Sequence, residues 1–163
     1  AVGLAANLAV PLTLVAATPR FLAAPDWQGV APEVLAAFAD GLEKDFSATL
    51  ARFLALQARG DEAAQETLRG LKKVLLARGE PARAALRAGL AILRDTDLRA
   101  EAGRLSVPLW VVAGERDTLA PPAAAEWLAP RASGRLTVIR GAAHAPFLSH
   151  PEAFLAVLRE FLP

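Results

Sequence analysis

With 163 residues, 54% of them hydrophobic and 21% charged, the chain is the size of one ordinary domain with ample apolar material for a core. Disorder and a fibrous protein are excluded. Eighteen Lys and Arg against seventeen Asp and Glu leave a net charge of +1, which excludes the basic field of an electrostatic nucleic-acid binder. There is no cysteine, so a disulfide scaffold, a thiolate nucleophile and a cysteine-based zinc site are excluded. Two histidines, His144 and His150, are too few for a histidine-rich metal site.

The sequence holds no methionine, and the chain opens mid-pattern at Ala1, so it reads as a piece of something longer or a processed product. Residues 1–19 carry no charge, yet they lack the positive n-region of a secretory signal. A spanning helix would hold Asn7 and Pro11 at its centre, where both are unwelcome. The run splits instead into AVGLAAN, the tail of a helix ending at Asn7, and PLTLVAA, a short apolar strand. Such strands are typical of a parallel sheet covered on both faces. With no targeting signal, a soluble cytoplasmic protein is expected.

TPRFLAAPDWQGVAP, punctuated by Pro and Gly, reads as a loop. From Pro32, which suits a first helical turn, Leu35, Phe38, Leu42, Phe46, Leu50, Phe53 and Leu54 recur at helical spacing as one long stretch. Gly60-Asp61 breaks it, with Asp61 as the next N-cap. Leu68, Leu71 and Leu75 mark a further helix, and Leu86, Leu90 and Leu93 another after Pro81. PLWVVAG is then an apolar run of strand length ending at Gly114, PPAAAEWLAP a short helix and LTVI (residues 136–139) a second short strand. SHPEAFLAVLREFL closes the chain as an amphipathic helix, with Ser149 and Glu152 at capping-box spacing. The alternation predicts an α/β fold built on a parallel sheet, with an all-helical insertion.

Open parallel sheets carry functional groups on the loops beyond the carboxyl ends of their strands. Asp117 lies just past VVAG and His144 just past LTVI, flanked by Gly141, Ala142, Ala143 and Ala145. One strand–helix–strand unit separates them, so neighbouring strands would bring the two side chains within hydrogen-bond reach. A carboxylate there fixes the imidazole tautomer, the supporting half of a nucleophilic triad. The small neighbours would keep the ring exposed. Each residue alone has an ordinary explanation, Asp117 as a turn former and His144 as a surface residue. The pairing at successive strand ends in the right order is what points to chemistry. The nucleophile of such a triad comes upstream in a G-x-S-x-G turn. No such motif occurs, and Ser47, Ser106, Ser133 and Ser149 fit no elbow. The elbow is expected a few residues ahead of Ala1.

DFSATLARFLALQ, GLKK, GLAILRDTDLR, the Asp117 loop and GAAHAPFLSHPEAF together resemble the pimeloyl-[acyl-carrier protein] methyl ester esterases of biotin synthesis, over most of the chain from about Thr18. The resemblance implies a partial α/β-hydrolase fold. Residues 1–30 would hold the end of the elbow helix, one core strand and a loop, residues 31–100 a helical lid, and residues 101–163 the C-terminal α/β core. It implies Asp117 as triad acid and His144 as general base. It places Phe53, Leu54, Ala55, Leu56 and Gln57 in the lid segment that contacts substrate, where their alternative is ordinary packing. No metal or organic cofactor is implied. Family members grip the acidic carrier protein with lid arginines. Arg52 and Arg69 match such positions, whereas Ala48 and Gln65 stand where arginine is expected. From Arg59 to Arg94 there are eight Lys and Arg against four Asp and Glu, the right sign for an acidic partner. The implied activity of the complete protein is serine carboxylic-ester hydrolysis, and this chain, without the serine, is expected to be inactive alone. The rivals are another small-ester or lactone hydrolase, and a non-catalytic product that binds an acidic partner through its helices.

Overall fold

The computed structural model describes residues 11–57, 64–77, 79–131 and 133–161. The expected helix tail ending at Asn7, the break at Gly60 and the cap at Asp61 lie outside the described residues. The apolar runs become three strands: β1 (Leu12–Val15), β2 (Leu109–Gly114) and β3 (Arg135–Ile139). They form a parallel sheet in the order β1-β2-β3. Leu12 sits opposite Leu109 on one side of β2, and Trp110 opposite Arg135 on the other.

Burial follows strand position. Central β2 is buried at every residue, with Val111 and Ala113 packed among Leu105, Leu128 and Ala129 on one face. Its alternate residues, Trp110 and Val112, meet Ile139, Ala142 and Val157 on the other face. This is the double-sided burial that a continuous apolar run signals. The flanking strands depart from it. In β1 only Leu14 is buried, and in β3 Leu136 and Val138 remain 36% and 40% exposed. An apolar run reports what a strand can bury; its position in the sheet decides how much it does.

Between β1 and β2 stands the helical insert: α1 (Pro32–Lys44), α2 (Phe46–Gln57), α3 (Ala64–Ala77) and α4 (Arg83–Asp95). The expected single helix through residues 35–54 is in fact two. Asp45 leaves the helix with extended backbone (φ −154°, ψ 91°), and its Oδ1 accepts the Ala48 N–H at 2.9 Å. An Asp side chain competing for backbone donors favours such a restart over continuation. Gly41 lets the two helices close up, since a Cβ there would fall 2.9 Å from the Thr49 hydroxyl.

The loop after β1 is stapled to the far end of the insert. Leu98 N–H donates to the Pro19 carbonyl at 2.8 Å, Arg20 pairs with Asp97 at 2.7 Å, and Arg99 pairs with both Asp97 and Asp26. A short helix, α5 (Arg99–Ala102), then leads to β2, and α6 (Pro122–Arg131) crosses from β2 to β3. The closing helix also begins later than its Ser149–Glu152 spacing suggests. That helix is α8 (Pro151–Phe161), and a short helix, α7 (Pro146–Ser149), stands ahead of it where the sequence reads as a loop. The Ser149 hydroxyl reaches the Ala145 carbonyl at 3.4 Å and His150 Nδ1 at 2.8 Å, turned back towards the preceding turn. Among the described residues, no helix is long and apolar enough to cross a membrane.

Candidate active site

The carboxyl ends of β2 and β3 point the same way, and the turns leaving them touch. Gly114 ends β2 because nothing larger fits. A Cβ there would fall 2.7 Å from the Ala142 carbonyl oxygen and overlap that of Ala143. Ala142 and Ala143 are themselves buried, so small residues before His144 serve the close approach of the two turns. Backbone bonds tie the turns together: Glu115 N–H donates to the Ile139 carbonyl at 3.1 Å and Arg116 N–H to the Ala142 carbonyl at 2.8 Å.

Asp117 and His144 project from these turns and meet. His144 Nδ1 lies 2.9 Å from Asp117 Oδ2 across 27 residues of sequence. The Asp117 side chain is fully buried and that of His144 is 36% exposed. The second carboxylate oxygen accepts the Leu119 and Ala120 N–H groups at 2.8 and 2.9 Å. Asp117 thus does both things its position allows: one oxygen shapes the turn, and the other orients the ring. An ionised carboxylate only accepts, so Nδ1 carries the proton it donates. The Nε2 lone pair is left as the ring's basic site, a general-base arrangement.

Over the Asp117 turn lies a cavity of about 550 Å³, mostly apolar, between α1, α2 and the turn itself. Arg52, Phe53 and Leu56 line it, facing Phe38 from α1 and Thr118 and Leu119 from the Asp117 turn. Phe38 and Phe53 pack ring to ring, 4.8 Å between centroids. Leu54 and Ala55 are not in its wall; the run Phe53–Gln57 is helical, and at 3.6 residues per turn Phe53 and Leu56, three apart, share a face that the two residues between them turn away from. The Gln57 side chain lies outside the described residues. Arg52 donates from Nη2 to Thr49 Oγ1 at 3.1 Å. Arg69, on α3, is exposed. Sequence alone marks Phe38 only as a position of helical spacing and does not single out Thr118 and Leu119, which directly follow Asp117, the one signal that could have found them. Among the described residues no cluster of His, Asp and Glu could hold a metal ion.

The profile of the Alpha/beta hydrolase family matches residues 1–157. The chain belongs to that family. Among its hydrolase relatives, a protein of Aeromonas hydrophila subsp. hydrophila named pimeloyl-[acyl-carrier protein] methyl ester esterase is 44% identical over 152 residues, 93% of this chain and 60% of that protein. One of the same name from Edwardsiella ictaluri is 45% identical over 153 residues, covering 92% of this chain and 58% of its own. The chain therefore spans about three-fifths of the length of the curated relatives it matches. Among solved structures, an esterase from Exiguobacterium antarcticum superposes with a TM-score of 0.82 at 22% identity, covering 93% of this chain and 56% of that one. At that identity the likeness shows the fold alone.

Proposed function

We propose that this chain supplies the acid and base of a serine carboxylic-ester hydrolase acting on the methyl ester of a pimeloyl group borne by acyl-carrier protein. The observation that carries the reading is the buried Asp117 carboxylate holding His144 at 2.9 Å. The relatives' names supply the substrate. The largely apolar cavity beside the Asp117 turn suits a methylene chain, each buried CH₂ contributing about 0.8 kcal/mol.

The nucleophile on this reading is a serine outside these 163 residues, since no G-x-S-x-G occurs within them. His144 takes the serine proton as the oxygen attacks the ester carbonyl. It then returns the proton to the departing methoxide, which leaves as methanol. Water, deprotonated by the same ring, next attacks the acyl-enzyme, and its collapse frees the carboxylate and re-protonates the serine. Asp117 stabilises the imidazolium formed at each stage. Phe53 and Leu56 line the acyl chain's path. Arg52 and Arg69 belong to the insert surface offered to the acidic carrier, in a cytoplasmic setting.

Methyl ester hydrolysis by the longest natural product containing this chain tests the proposal. His144→Ala and Asp117→Asn should each lower kcat strongly, the Asn variant by on the order of 10⁴-fold as in other triads. Turnover within about threefold of the parent in both variants would remove their assigned roles. Labelling of the 163-residue chain with a serine-directed fluorophosphonate should give no adduct. A single adduct would place the nucleophile on Ser47, Ser106, Ser133 or Ser149 instead.

A further inference from the structure

We propose that Glu115 is a positioning residue for His144, acting through the backbone of Gly141. The inference rests on the reading of Asp117 and His144 as an acid–base pair. Glu115 occupies the first position after β2, on the same turn as Asp117. Its carboxylate Oε2 accepts the Gly141 N–H at 2.8 Å. Gly141 is where the chain leaving β3 reverses towards His144, and it does so with a left-handed backbone (φ 78°). The His150 ring stands near it, its Nε2 3.5 Å from where a Cβ at this position would lie.

Two further bonds between the turns, Glu115 N–H to the Ile139 carbonyl and Arg116 N–H to the Ala142 carbonyl, are backbone to backbone. Any residue pair could make them. The Glu115–Gly141 bond depends on residue type: it needs an acceptor at the end of a two-methylene arm. A charged acceptor makes it short and strong. Its effect on His144 is leverage. Gly141 is tied to Glu115, two residues before Asp117 on the same turn, so any drift of Gly141 moves the ring relative to the carboxylate that orients it. The alternative is a solvated surface Glu whose bond has no consequence for the ring, and the two make different predictions.

The test is nuclear magnetic resonance on the isotopically labelled chain. The proton shared between His144 Nδ1 and Asp117 gives a downfield signal, assigned by its loss in His144→Ala. Glu115→Ala should broaden or shift that signal and speed exchange of the Gly141 amide by about tenfold, the order expected for one net hydrogen bond. Glu115→Gln, which keeps an acceptor oxygen at the same reach, should restore both. An unchanged signal and unchanged Gly141 protection in Glu115→Ala overturns the proposal, as does a Gln variant no better than Ala. Should the Ala variant fail to fold, the unaltered chain still decides. A scalar coupling across the hydrogen bond, from Gly141 nitrogen to the Glu115 carboxylate carbon, is expected, and its absence overturns the anchor alone. Absence of the downfield signal itself would instead sink the acid–base reading, and this proposal with it.

Discussion

Asp117 shows how much one side chain can be made to do. Its two oxygens divide the work, one fixing the local turn through Leu119 and Ala120 and the other fixing the ring of His144. The substitution Asp117→Asn is therefore expected to damage function more than fold: an amide keeps one acceptor for the turn but offers the wrong group to Nδ1. Gly114 is the opposite case, a residue whose whole contribution is its lack of a side chain. Gly114→Ala would drive a methyl group into the Ala142 and Ala143 carbonyls, backbone atoms that cannot rotate away. We expect a loss of about 1–3 kcal/mol in stability, as for other overpacked sites, measured by thermal unfolding. The downfield His144 signal should weaken with it as the turns part.

Among the elements, what sequence discloses depends on how periodicity is interrupted. The β2–α6–β3 unit is legible because strand-length apolar runs end in small residues, and the Asp117–His144 pairing follows from their order. The break between α1 and α2 is not, since Phe46, Leu50 and Phe53 continue the spacing of Leu35, Phe38 and Leu42 almost in phase across Asp45. The joint between α4 and the loop after β1 is equally invisible, because Arg20, Asp26, Asp97 and Arg99 look like scattered surface charges until the fold gathers them. There the Arg99 guanidinium, helped by Arg20, holds the Asp97 carboxyl well below the usual carboxylate range against the opposing effect of burial. A carboxylate depressed in the folded state stabilises the protein above its unfolded value, near pH 4. That contribution is lost as pH falls below it. Asp97→Asn should thus lower the melting temperature at pH 7, and the gap from the parent should shrink as the pH is taken towards 2.

At the scale of the molecule, the cavity is lined jointly by α1, α2, the loop after β1 and the Asp117 turn. The wall alternates with helix geometry, so Phe53 and Leu56 face it while Leu54 and Ala55 do not. A contiguous sequence segment cannot reveal that selection without its helical phase. In the active enzyme, kcat/KM for a series of unbranched methyl esters should rise by up to about fourfold per added CH₂, the equivalent of 0.8 kcal/mol. Phe53→Ala should flatten that rise while leaving short esters nearly unaffected. An equal loss for short and long esters would assign Phe53 to packing instead.

The meeting of Asp117 with His144 is completed within a single βαβ crossover, from Leu109 to His144. Nothing in the insert takes part in that bond. A protease nick at exposed Gly79, in the insert's own left-handed turn (φ 76°), would leave the acid and base on one fragment. The Asp117–His144 hydrogen bond would then outlast loss of the cavity lined by α1 and α2, so limited digestion should separate the two in time.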